Sequence, residues 1–173
     1  EAPETLAVLE HVYRAWSPDI VLDLHTTNGT RHGYALTYSP PLNPNTDPGL
    51  AGFARDALLP AVRDRLKADP GLTVFDYGNV ESRDGRNGWY TFGQEGRYVT
   101  NHAGLRNHVG LLSEAASFQP FRFRVEATLS FVRAVLDEVA RRSEEVKRLT
   151  RQADQTVVAW GNAPVKAPTL GVR

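Results

Sequence analysis

Cysteine and methionine are both absent from the 173-residue chain. Without cysteine, neither a disulfide framework nor a thiolate metal site can form. An excess of charge is missing as well. Twenty Lys and Arg balance twenty Asp and Glu, so nothing argues for a nucleic-acid or membrane surface. No apolar run approaches the length needed to span a bilayer, and no signal peptide opens the chain. It begins Glu1-Ala2-Pro3-Glu4, with no initiating methionine, and ends in an unpatterned Asn162-Ala163-Pro164-Val165-Lys166-Ala167-Pro168 stretch. This reads as an excerpt from a longer polypeptide. Any signal peptide is then expected upstream, which leaves the compartment undetermined and a secreted or periplasmic destination open.

What remains is ordinary for one globular domain with a real core: 41% hydrophobic and 23% charged residues. Leu6, Leu9, Val12, Tyr13 and Trp16 share a face of a helix expected over residues 3–16, with Pro3 in its first turn. Pro18 then bars helix from the residue before it, and Ile20 and Val21 favour an extended run ending at His25. Residues 26–47 read as a long loop. A helix is expected from Pro48 to Ala68, kinked or broken at Pro60. A short strand over Leu72–Phe75 follows, then a loop or irregular hairpin over 76–96, and a strand running into Glu114. Phe121 to Ala153 reads as one helix, with Val125, Leu129, Val132, Leu136 and Val139 on its apolar face and a charged second half in solvent. Residues 154–173 read as a linker or tail. Helices alternating with buried strands predict a three-layered α/β fold.

The chemistry-bearing pattern is a pair of strand ends. Ile20-Val21-Leu22-Asp23-Leu24-His25 ends in a histidine, and Val109-Gly110-Leu111-Leu112-Ser113-Glu114 in a glutamate. Each is followed by small residues, at the sheet edge where open α/β folds bind ligands. A histidine and a glutamate at two such ends suggest a metal site with a carboxylate base. Asp23 shares a strand face with His25 and could orient it by hydrogen-bonding its ring.

Asp23-Leu24-His25-Thr26-Thr27-Asn28-Gly29, then Gly104-Leu105-Arg106-Asn107, then Leu112-Ser113-Glu114-Ala115 resemble the zinc carboxypeptidases of the carboxypeptidase A type, most closely a bacterial branch. The resemblance covers roughly residues 1–150. It implies an α/β/α sandwich on a mixed, mostly parallel twisted sheet, with residues 1–153 as the C-terminal part of a catalytic domain. It implies one zinc ion, His25 as a ligand and Glu114 as the catalytic base. The family's other two ligands come from a His-x-x-Glu pair. None occurs here, since His11, His25, His32, His102 and His108 are followed three residues on by Arg14, Asn28, Ala35, Leu105 and Leu111. Both ligands, and the Asn-Arg pair that grips the substrate carboxylate, are expected upstream. The chain alone is then expected to bind zinc poorly and to be inactive, and the activity is assigned to its parent: hydrolysis of C-terminal peptide bonds, with a peptide as substrate.

Four more residues are candidates for substrate contact. Tyr90, beside Gly88, stands where the family carries a mobile tyrosine, with Tyr98 as its rival. Arg106 could bind a carboxylate through its guanidinium. Thr27 and Asn28 could donate hydrogen bonds to a peptide backbone, although an Asn-Gly turn accounts for them equally. Arg83 and Arg86 would favour acidic side chains only if turned inward. Two other functions stay open: a zinc-dependent deacylase of N-acyl amino acids on the same fold, and a catalytically dead binding module.

Overall fold

The computed structural model describes residues 2–27 and 29–163. The chain opens with α1 (Pro3–Val8), which runs on through wider turns over Leu9–Arg14. Strand β1 (Ile20–Thr27) and strand β2 (Leu36–Ser39) follow. Helix α2 (Pro48–Gly52), wide turns over Phe53–Leu58 and α3 (Leu59–Ala68) form one helical stretch. Pro60 sits in the first turn of α3, directly after the wide turns. The break expected there takes that form, because widened turns accommodate a residue with no N–H to donate. Then come β3 (Val74–Asp76), the hairpin β4 (Asn79–Arg83) and β5 (Arg86–Tyr90), and the short helix α4 (Val99–Leu105). Strand β6 (Val109–Ala116), α5 (Phe121–Arg141) and α6 (Ser143–Asn162) complete the order.

Helices and strands therefore alternate around a mixed, mostly parallel four-stranded sheet of order β1-β6-β2-β3. β1 runs parallel to β6 and β2 parallel to β3, while β6 and β2 are antiparallel. The hairpin forms a separate two-stranded sheet. The main core lies on the face of Val109, Leu111, Leu36, Tyr38 and Val74, which pack with Ala127, Phe131 and Val135 of α5 and Val62 and Leu66 of α3. The other face carries Asp23, His25, Gly110, Leu112, Glu114, Thr37 and Phe75, by strand alternation and register. Helix α4 crosses it at Gly110. A Cβ there would lie 2.6 Å from the Thr100 carbonyl oxygen and 2.7 Å from the Thr100 Cα, so only glycine permits this approach.

Several sequence expectations change. Strand β2 lies inside the stretch expected to be a loop, because its four residues are buried and sit between Gly33 and Pro40 with no exposed position to create alternation. The helix expected from Phe121 to Ala153 is two helices, broken at Arg142 (φ −114°, ψ 21°). The second is not a solvated charged arm, since Val146, Thr150 and Ala153 are buried. It also continues to Asn162, beyond the position where a linker was expected; residues 164–173 of that segment lie outside the described residues. In α5 the face packed on the core is Ala127, Phe131, Ala134, Val135 and Glu138, whereas Val125, Leu129 and Leu136 are exposed. In the first helix only Tyr13 of the expected apolar face is buried. Periodicity finds a stripe, but which stripe is covered depends on where the sheet lies. β1 is the sheet's edge, and Leu24 on it is 47% exposed.

Candidate active site

Register brings the two predicted strand-end residues together. His25 of β1 and Glu114 of β6 are direct partners in the parallel pair, so both side chains rise from the same face. The row continues across the sheet, with Thr37 of β2 paired to Glu114 and Phe75 of β3 paired to Thr37. Both strands run two residues past the pair, to Thr27 and Ala116, so the site sits just inside their carboxyl ends.

His25 is oriented by its own strand. Asp23, two residues earlier on the same face, accepts a hydrogen bond from Nε2 at 2.8 Å. That bond places the proton on Nε2 and leaves Nδ1 with its lone pair, the arrangement by which a carboxylate prepares an imidazole for a metal. The His25 side chain is 52% exposed and that of Asp23 is 23% exposed, so the ring is open on one side and anchored on the other.

Glu114 is half-buried, and its Oε2 is buried without a hydrogen-bond partner. Burial pushes its carboxyl above the ordinary value. The His25 charge opposes that shift and the Asp23 charge adds to it. A carboxyl held above its usual range, with an unsatisfied oxygen, has a raised affinity for a proton. Thr37 is 1% exposed, and its hydroxyl also lacks a partner. Tyr77, whose backbone N–H donates to the Tyr38 carbonyl, follows Phe75 at the next position on this face. Its hydroxyl is raised above its ordinary value by burial first and by the Glu114 charge second.

No family model, no curated protein and no solved structure matches this chain.

Zinc takes three protein ligands and a water in hydrolytic sites. The residues present fit part of such a site: one imidazole with its orienting carboxylate, and one unsatisfied glutamate oxygen beside it. Among the described residues, no group of three or more His, Asp or Glu is placed to hold an ion.

The remaining candidates are dispersed. Thr27 is buried, and its Oγ1 accepts from the Gly29 N–H at 3.3 Å, while Asn28 lies outside the described residues. Tyr90 belongs to the hairpin: its ring lies under the Arg83 guanidinium at 3.9 Å and folds over Gly88. Arg106 is at the end of α4, 5.7 Å from the Tyr13 ring, in a cluster at the amino ends of β1 and β6. Arg83 is paired with Glu81 at 2.8 Å. Sequence reasoning missed Thr37, Phe75 and Tyr77. Thr37 was hidden in an unrecognised strand, but the alternation of Phe75 and Tyr77 after Val74 was a readable signal.

An open cavity of about 340 Å³ lies at the carboxyl ends of β2 and β3, lined by Tyr38, Ser39, Arg63, Asp76 and Tyr77 among others. It reaches Tyr77, but neither His25 nor Glu114 lines it.

Proposed function

We propose that the chain is the C-terminal part of a zinc metallocarboxypeptidase domain, a three-layer α/β/α sandwich in its complete form. It hydrolyses C-terminal peptide bonds of a peptide substrate. The observation that carries this reading is the His25–Glu114 pair, in direct register with Asp23 bonded to the imidazole. His25 would hold the ion through Nδ1, and two further ligands would come from elsewhere in the polypeptide. When bound, zinc supplies Lewis-acid polarisation of the scissile carbonyl and acidifies the attacking water. Asp23 keeps the imidazole in the binding tautomer. Glu114 takes the proton of the attacking water on its carboxylate and returns it to the leaving amine nitrogen as the C–N bond breaks. Burial raises its proton affinity above that of an ordinary carboxylate.

The test is made in the full-length polypeptide that carries this chain. Wild type is expected to bind zinc and to cleave peptides with a free C-terminus, but not amidated ones. His25→Ala is expected to lose zinc, and Glu114→Gln to keep zinc and lose turnover. Cleavage of N-acyl amino acids in preference to peptides would assign a deacylase. Peptide binding with no turnover in wild type would assign a binding module.

A further inference from the structure

Building on the hydrolase reading, we propose that the face beside Glu114 carries a subsite for an acidic substrate side chain, whose distal carboxylate is taken by Arg97 and the Tyr98 hydroxyl. Three aromatic rings lead away from the row that holds Glu114. Tyr77 stands on that face, Phe92 packs 5.8 Å from it, and Tyr98 packs 4.8 Å from Phe92. At the far end the Arg97 guanidinium covers the Tyr98 ring at 4.4 Å, and its Nη2 donates to the Tyr98 hydroxyl at 2.7 Å.

That double contact fixes the guanidinium plane and leaves its other N–H groups, and the phenolic O–H, free to donate. A planar fork held in place loses little freedom when it meets a carboxylate. Among the described residues no carboxylate pairs with Arg97. The acid nearest in sequence, Glu95, is folded back over Gly93. The rings run from Tyr77, on the face of Glu114, to this cation, so a side chain with an apolar stem and an anionic tip matches the order of the groups. A second observation points to a ligand on the same face. Thr37 Oγ1 is buried beside Glu114 with no partner, and a buried hydroxyl of that kind is normally satisfied. A polar atom of a molecule seated against Glu114 would satisfy it.

The experiment is calorimetric titration of the full-length polypeptide with benzoylglycyl-glutamate, benzoylglycyl-phenylalanine and benzoylglycyl-lysine, with turnover blocked by Glu114→Gln. The glutamate probe is expected to bind at least about 10-fold more tightly than the other two, the scale of one charge-assisted pair. Arg97→Ala is expected to remove that advantage and leave the phenylalanine probe within about twofold, since apolar contact is untouched. Arg97→Glu is expected to move the preference to lysine, with circular dichroism showing an unchanged fold. Equal binding of all three probes, no binding of any, or a glutamate preference that survives Arg97→Ala overturns the subsite. A glutamate preference in a protein whose wild type hydrolyses nothing keeps the subsite and removes the peptidase. Hydrolysis without the preference does the reverse.

Discussion

The two ends of the β1–β6 pair hold similar residues and put them to different uses. At the carboxyl end, His25 is open to solvent, bonded to Asp23 and beside Glu114. At the amino end, the Tyr13 ring meets His102 edge-on at 5.1 Å and lies 6.0 Å from His108, with Arg106 over it. Here burial, and then the Arg106 charge, hold both imidazoles below their ordinary value. His108 is 8% exposed, and the Tyr13 hydroxyl and His102 Nε2 are buried without partners. Residue type does not separate the two ends. Access to solvent and the sign of the neighbouring charge do: a carboxylate orients one histidine, while burial first and a guanidinium second hold the other two below their ordinary value.

The largest test of this contrast is catalytic. In the full-length polypeptide, Glu114→Gln is expected to lower kcat by about 10²- to 10⁴-fold, the usual contribution of a general base, whereas His108→Asn changes it less than about twofold. Equal losses from both would erase the distinction. Next, Asp23→Asn is expected to weaken zinc affinity by about 10- to 100-fold, as loss of an orienting partner does, measured by competition with a chelator. Gly110→Ala addresses the seam where α4 meets β6. It is expected to destabilise by about 1–3 kcal/mol through overpacking against Thr100, read from urea unfolding.

The smallest effect is on pH dependence, and the two ends carry opposite signs. The folded Glu114 carboxyl titrates above its unfolded value, so the folded state holds the proton longer. Stability then falls as pH rises from the unfolded value, about 4.3, through the folded one. His102 and His108 titrate below their unfolded value of about 6.5. Stability is therefore lost as pH drops from there through their folded values. Unfolding midpoints across pH 4–7 in Glu114→Gln and His108→Asn should each flatten one of these two slopes.

Much of this fold was legible in the chain. Proline and β-branched residues marked β1, and the turn over Asp84-Gly85 closes the hairpin where a loop or irregular hairpin was expected. The candidacy of His25 and Glu114 was legible too, since each stands at the end of an apolar run, and the register sets them side by side. The wall from Tyr77 to Tyr98 was not legible, because its rings come from the residue after β3 and from the loop between β5 and α4, which only folding brings side by side. The apolar stripes of α1 and α5 were misjudged for the same reason. A helix shows its hydrophobic residues in sequence, but the element that covers them is set elsewhere.

Local chemistry in the sequence determined where β1 starts, that His25 and Glu114 each lie near the carboxyl end of an apolar strand, and that no thiolate site can form. These depend on dihedral preference, periodicity and residue type, which act over a few positions. The tertiary structure decided that β1 and β6 are neighbours in the register that opposes His25 to Glu114. It also decided that Asp23 turns to His25, and that Arg106 joins Tyr13 at the far end. Those outcomes depend on contacts between residues tens of positions apart. Strand pairing, burial and local charge are properties of the assembled packing and have no local signature in the chain.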